Sequence, residues 1–209
     1  MENTKRAANV INSTESIQAE CAEEPSLNAR IAGGDEQALA LVVGRYSAPV
    51  FRFLARMVGS DEEAQDLTQE TFYSFYLHRE KLRLDVDIHP YLFTIARRKA
   101  ISHLRWRKVR SILTPFTPEH ENTFENQRRS PADRLLQKRT EAEVQNALNR
   151  IHPEKRTVLI LRFFEEQSYS DIARIMNKPL GTVKSLAYRG ERELRSRLAH
   201  CLEREEGER

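Results

Sequence analysis

The sequence predicts an all-α protein: two small helical domains joined by a flexible linker, the second built as a helix-turn-helix. Three observations carry that expectation. Apolar residues recur at three- and four-residue spacing from Leu27 to about Arg110, and again from about residue 138 to 200. Between these stretches, residues 111–137 hold Pro115, Pro118 and Pro131 among polar residues, and the periodicity vanishes. Glycine and proline are scarce, 7 and 8 in 209 residues, so long helices are rarely interrupted.

Residues 1–25 are polar and poor in large apolar side chains, which predicts a disordered arm. From residue 26 the first domain begins and runs to about 110. Ala38, Leu41, Val42, Val50, Phe53, Leu54 and Met57 fit two consecutive amphipathic helices broken near Pro49. Ser60 and Glu63 then form a capping-box pair. In the helix they open, Ala64, Leu67, Thr71 and Phe75 make one stripe, expected to be buried. Asp66, Gln69, Glu70 and Tyr73 make another, expected to face solvent or a partner. After the polar loop "RLDVDIHP" a helix starts near Pro90, a favoured place for proline. Its Tyr91, Leu92, Ile95, Ala96, Ile101 and Leu104 can pack inward. Between 97 and 110 it carries Arg97, Arg98, Lys99, Arg105, Arg107, Lys108 and Arg110 and no acidic residue. Such a run is electrostatically costly unless a polyanion or counterions lie nearby. Tyr91, Phe93 and Trp106 are the aromatics beside it, as base-stacking groups or as core.

In the second domain, Ser168 and Asp171 open a helix, with Ile172 and Met176 inward and the small Ala173 allowing another helix to cross closely. Asn177 suits a left-handed turn, and Pro179 prevents the helix from continuing. Val183 restarts the pattern with Leu186 or Ala187, Gly190, Leu194 and Leu198. These offsets are those of a helix-turn-helix. The other face of the second helix presents Lys184, Ser185, Tyr188, Arg189, Arg192 and Arg195. The N-terminal part of such a helix enters the major groove, which places Lys184, Ser185 and Tyr188 at base edges and Arg189 and Arg192 at phosphates. Residues 201–209 read as a frayed acidic tail.

Composition excludes several classes. Net charge is +3, with the basic residues clustered. Cys21 and Cys201 lie in opposite tails and predict neither a disulfide framework nor a zinc cluster, and His200 with Cys201 is too small a ligand set for a metal. No metal and no cofactor are expected. The histidines are scattered, and no HExxH, phosphate-cradling glycine loop or carboxylate cluster adjoins the basic helix, so no catalytic residue is assigned and a nuclease or recombinase is not expected. Neither a membrane span nor a signal-peptide core is read from the sequence, and a cytoplasmic protein is expected.

"AQDLTQETF", then "HPYLFTIARRKAISHLRWRK", then "YSDIARIMNKPLGTVKSLAYRGERELRSRL" together resemble the extracytoplasmic-function group of bacterial sigma-70 family RNA polymerase sigma factors over residues 27–200, the linker excepted. The resemblance implies a non-enzymatic protein that binds core RNA polymerase and directs it to promoter DNA. It places Asp66, Leu67, Gln69, Glu70 and Phe72 on the clamp of the largest subunit. It places the loop "LRLDVDIH" and the helix with Tyr91, Arg97, Arg98, Lys99, Arg105 and Trp106 at the opened −10 element. Thr182, Lys184, Ser185, Tyr188, Arg189 and Arg192 then fall at the −35 element, in a domain that also touches the flap of the second large subunit. An anti-sigma factor as inhibitor, a signal-responsive set of genes, and a linker permitting compact and extended arrangements are also implied, whereas a small-molecule substrate is not. The family usually has Trp at Tyr76 and Tyr91, often Asn at Arg98, and Arg at Leu186, departures that bear on promoter sequence. The alternative is a stand-alone helix-turn-helix regulator, which requires a dimer surface and tight duplex binding by the protein alone.

Overall fold

The computed structural model describes residues 26–113, apart from 83, 84 and 86, together with residues 141–206. The expected N-terminal arm, nearly all of the expected linker, and residues 207–209 lie outside the described residues. Helices account for the regular structure: α1 Leu27–Ala32, α2 Glu36–Val58, α3 Asp61–Leu77, a 3-10 turn Arg79–Lys81, α4 Ile88–Leu113, α5 over 141–149, α6 Pro153–Phe163, α7 Tyr169–Met176 and α8 Leu180–Glu206.

The helix starts follow capping chemistry. Asp35 accepts from the amides of Gln37 and Ala38 at 2.9 and 3.1 Å. Ser60 accepts from Glu63 at 3.3 Å, and Ser168 from Asp171 at 3.1 Å. Each such cap stabilises its helix by about 1 kcal/mol. At the other end of α2, Gly59 is left-handed (φ 78°) and donates to Ala55 O at 2.8 Å, ending the helix.

The expected break near Pro49 is absent, because α2 runs through that residue. An interior proline costs a helix about 3 kcal/mol. Beyond it, Val50, Phe53, Leu54 and Met57 are all fully buried, and burying each large apolar side chain contributes roughly 1.5–3 kcal/mol. Their combined burial outweighs the proline. Continuity also makes α2 long and apolar enough to cross a membrane by length and composition alone. Its C-terminal half is instead the central helix of the packed core. The ends of α4 and α8 differ from expectation too. Helix α4 continues to Leu113, into the start of the expected linker, and α8 continues to Glu206, through most of the expected frayed tail.

The two expected domains share one core. A single cluster of buried apolar residues includes Phe53, Leu54, Met57, Phe93 and Ala96 from the first part, and Leu148, Ile151, Leu159, Ile175 and Val183 from the second. Helix α7 packs against α4, and α6 against α2. A smaller cluster, Ile31, Ala38, Val42, Phe75, Leu82, Ile88 and Leu92, closes the other end of the first part.

Candidate nucleic-acid interface

The helix-turn-helix is built as its spacings require. Helix α7 ends at Asn177 in the left-handed conformation, φ 50° and ψ 52°, and α8 begins after Pro179. Val183 and Ala187 are buried, and Gly190 lies against α6 so closely that a Cβ there would meet Leu159 and Lys155 at 3.3 Å. Leu186 is buried as well, in line with its expected place on the inward face. The opposite face presents Thr182, Lys184, Ser185, Tyr188, Arg189 and Arg192, all exposed. Tyr188 is 64% exposed with the Arg192 guanidinium 5.9 Å from its ring centre, and Arg189 Nε donates to Ser185 O. Among the described residues, Lys184, Arg189 and Arg192 form no ion pair.

In α3 the two stripes separate as expected. Ala64, Leu67, Thr71 and Phe75 are buried, whereas Asp66, Gln69, Glu70 and Tyr73 are exposed. Phe72 is half-buried beside the core. The exposed stripe is joined to α4 by one ion pair, Glu70 to Lys99 at 2.9 Å. That pair lies in a groove of about 420 Å³ between the helices, lined also by Arg98, Ser102, His103 and Trp106. Trp106 is 55% exposed, with the Arg110 guanidinium over its ring at 5.0 Å from the centre.

The basic run of α4 divides by helix face. Arg98, Arg105 and Lys108 are exposed and have no ion pair among the described residues. Arg107 donates to Val58 O at 3.2 Å and pairs with Glu63, which also meets His103 at 3.0 Å. Arg97 turns toward α6, 3.9 Å from Glu154, with its side chain only 13% exposed. Burial lowers the Arg97 pKa, while the hydrogen bond from Lys178 holds Glu154 below the usual glutamate range. Phe93 is fully buried and belongs to the core, and Tyr91 is half-buried, its ring 6.1 Å from Phe75. Of the six α4 residues expected at DNA, the structure therefore brings Arg98, Arg105 and Trp106 to the surface, pairs Lys99 with the α3 stripe, and engages Arg97 with the helix-turn-helix half. Sequence reasoning passed over the partners on that side, Glu154, Arg156 and Glu165, because they interrupt no apolar period. Among the described residues no group of three or more His, Cys, Asp or Glu could hold a metal ion, and the side chains of His200 and Cys201 lie outside those residues.

Fold and surface together define a two-module, helix-turn-helix DNA-binding protein with a separate exposed polar stripe on α3. "Sigma-70 region 2" matches residues 42–110, and "Sigma-70, region 4" matches residues 141–194. The RNA polymerase sigma-H factor of Pseudomonas aeruginosa is 33% identical over 80% of this chain and 89% of its own length. The ECF RNA polymerase sigma factor SigW of Bacillus subtilis is 28% identical over 79% and 91%. In fold, the chain resembles CnrH in complex with the cytosolic domain of CnrY (TM-score 0.63, 19% identity, 83% and 96% covered). It also resembles the sigma factor RpoE of Bartonella quintana in complex with the anti-sigma factor NepR (TM-score 0.61, 24% identity, 78% and 96% covered). The chain belongs to the sigma-70 family, as an RNA polymerase sigma factor of the extracytoplasmic-function group. The region 2 match sets aside the stand-alone regulator.

Proposed function

We propose that the two modules divide promoter recognition as follows. The exposed stripe Asp66, Gln69 and Glu70, with Leu67 and Phe72 behind it, docks on the clamp of the largest polymerase subunit. The outer face of α4, with Arg98, Arg105 and Trp106, holds the opened −10 strand: cations meet phosphates and the indole offers a stacking plane. The outer face of α8 reads the −35 duplex through Lys184, Ser185 and Tyr188, with Arg189 and Arg192 on phosphates. The module boundaries are 26–110 and 138–200, and the second module also meets the flap. Polymerase supplies the chemistry, and the protein works where polymerase is, in the cytoplasm. An anti-sigma factor restrains it, by extension from the relatives seen with CnrY and NepR. The observation that carries this reading is that one polar docking stripe and one unpaired basic reading face sit on separate modules, both open to solvent.

The test is run-off transcription with purified core polymerase. Asp66→Arg with Gln69→Ala is expected to lower core affinity at least tenfold while circular dichroism stays unchanged. Unaltered core affinity removes the stripe's assignment, and no initiation on any promoter removes the whole reading.

A further inference from the structure

Helix α4 meets the start of α6 around a cavity of about 310 Å³. On α4 its lining positions are Arg97, Ile101, Leu104, Arg105 and Lys108, spaced by three and four residues and so on one face. They run about 16 Å along the helix axis, at about 1.5 Å per residue. The other wall is the first turn of α6, with its capping residue His152, then Pro153 and Glu154. Ile101, Leu104 and Pro153 make the lining mostly apolar. Along α4, charged positions bracket the apolar ones.

The two ends of this row differ. At the Arg97 end the charges are matched. Glu154 stands 3.9 Å from Arg97 and 3.0 Å from Lys178, and the Lys178 hydrogen bond holds it ionised, below the usual glutamate range. At the other end, Arg105 and Lys108 are exposed and form no ion pair among the described residues. His152 adds a donor. Its Nδ1 accepts from the Glu154 amide at 3.4 Å, which leaves the ring proton on Nε2. The N-terminus of α6 adds partial positive charge. The cavity thus joins unneutralised positive charge to an apolar wall.

Promoter phosphates account for only half of this. A DNA backbone calls for exposed cations, and Arg105 is assigned to it above, but it has no use for an apolar slot beside them. Packed interiors leave few voids larger than a water molecule. Small-molecule sites, in contrast, are cavities of roughly 300–1,000 Å³ with mostly apolar walls and a few charged groups. At about 30 Å³ per water-sized unit, this one holds about ten non-hydrogen atoms. A helical peptide, about 10 Å across, is too thick for it. Charge selects an anion, and the wall selects an alkyl chain.

We propose that this cavity is an effector site for a short-chain anionic amphiphile, a carboxylate or phosphate monoester whose head lies on Arg105 and Lys108 and whose chain lies over Leu104, Ile101 and Pro153. The Arg97–Glu154 pair ends the slot about 12 Å along α4 from Arg105 and so limits the chain length. The molecule is a ligand and undergoes no reaction. Its head occupies Arg105, which the opened −10 strand also needs, so ligand and strand exclude one another. That consequence rests on the sigma-factor reading, whereas the binding itself does not.

The test is calorimetry on the full chain with octanoate, hexyl phosphate, octanol and acetate. Octanoate or hexyl phosphate is expected to bind one per chain, with Kd on the order of 0.1–1 mM for a ligand of this size. Whichever binds more tightly identifies the head group, and either supports the site. Octanol lacks the charge and acetate lacks the chain, so each is expected to bind at least tenfold more weakly. Lys108→Ala is expected to weaken the anion about threefold, and Ile101→Trp, which fills the slot, at least tenfold. Open-complex formation with core polymerase is then followed with and without saturating ligand. The parent is expected to slow at least threefold, and Ile101→Trp not at all. If circular dichroism shows Ile101→Trp unfolded, Lys108→Ala decides. No saturable binding, octanol binding as tightly as both anions, or unchanged affinity in the folded variants each overturns the site. Binding without slowing overturns its role as an effector site. Absence of open complexes even from the parent protein overturns the sigma-factor reading instead, and the calorimetry still decides the site.

Discussion

Helices α4 and α8 are both long and basic, and both are proposed to face DNA, but they spend their charge differently. On α8, Lys184, Arg189 and Arg192 are exposed and form no ion pair among the described residues. On α4, Lys99 meets Glu70, Arg107 meets Glu63 and the end of α2, and Arg97 meets Glu154. The acids that α4 lacks in its own sequence come from α3 and α6. A basic run is therefore a DNA-binding surface only where the fold brings no acid to it. Much of α4 is an internal electrostatic joint, whereas the proposed reading face of α8 is open to solvent.

The largest expected effect follows from that availability. A base-edge or phosphate contact contributes about 1–3 kcal/mol each. Lys184→Ala with Arg189→Ala should lower transcription from a −35-dependent promoter roughly 100-fold, with core affinity and thermal stability unchanged. Initiation assays on promoters with and without the −35 element check this; equal activity of parent and variant on both breaks the assignment of α8.

A smaller, two-sided effect is expected on α4. Arg98→Ala with Arg105→Ala should slow open-complex formation about tenfold without changing the melting temperature, since neither residue holds the fold. Arg107→Ala should do the reverse. It removes the hydrogen bond to Val58 O and the ion pair to Glu63, which for a partly exposed side chain contributes about 1 kcal/mol. That corresponds to roughly 2–4 °C for a chain of this size. Permanganate footprinting and calorimetry on the same variants separate the two; a stability loss in the Arg98 variant erases the proposed division of α4.

Sequence pattern disclosed what depends on short-range geometry. Asn177, Pro179 and Val183 specified the turn because a left-handed residue, a helix stop and a buried restart are local requirements. The α3 stripes separated for the same reason, a helical period read over four residues. What the sequence did not disclose is set by contacts far apart in the chain. Pro49 looked like a break, but Phe53 and Met57 are buried against distant helices strongly enough to carry α2 through it. Arg156 drew no sequence reading, because its partner carbonyl, Met57 O, lies 99 residues away. Leu186 or Ala187 was read as the inward residue of α8, and the structure buries both, with Gly190 close against α6. The candidate site was legible as two faces, but the partition of α4 required the acids of other helices.

The smallest expected effect sharpens the contrast between joint and reading face through pH. His89, at the start of α4, lies against Phe93 with ring centres 4.6 Å apart, and burial lowers its pKa against the opposing pull of Asp87 and Asp171. Because the folded pKa is depressed, the unfolded chain takes up a proton that the folded protein refuses. Stability is lost as pH falls through the unfolded imidazole value of about 6.5. For a half-buried ring this loss should stay below about 1 kcal/mol. His89→Phe keeps the ring packing and removes the titration, so urea unfolding at pH 7.5 and 5.5 should show a smaller acid loss in the variant. Lys184→Ala, on the solvated face of α8, should track the parent at both values. Identical acid losses in His89→Phe and the parent would show that this end of α4 is as solvated as α8, and that the burial contrast between the two helices does not extend to it.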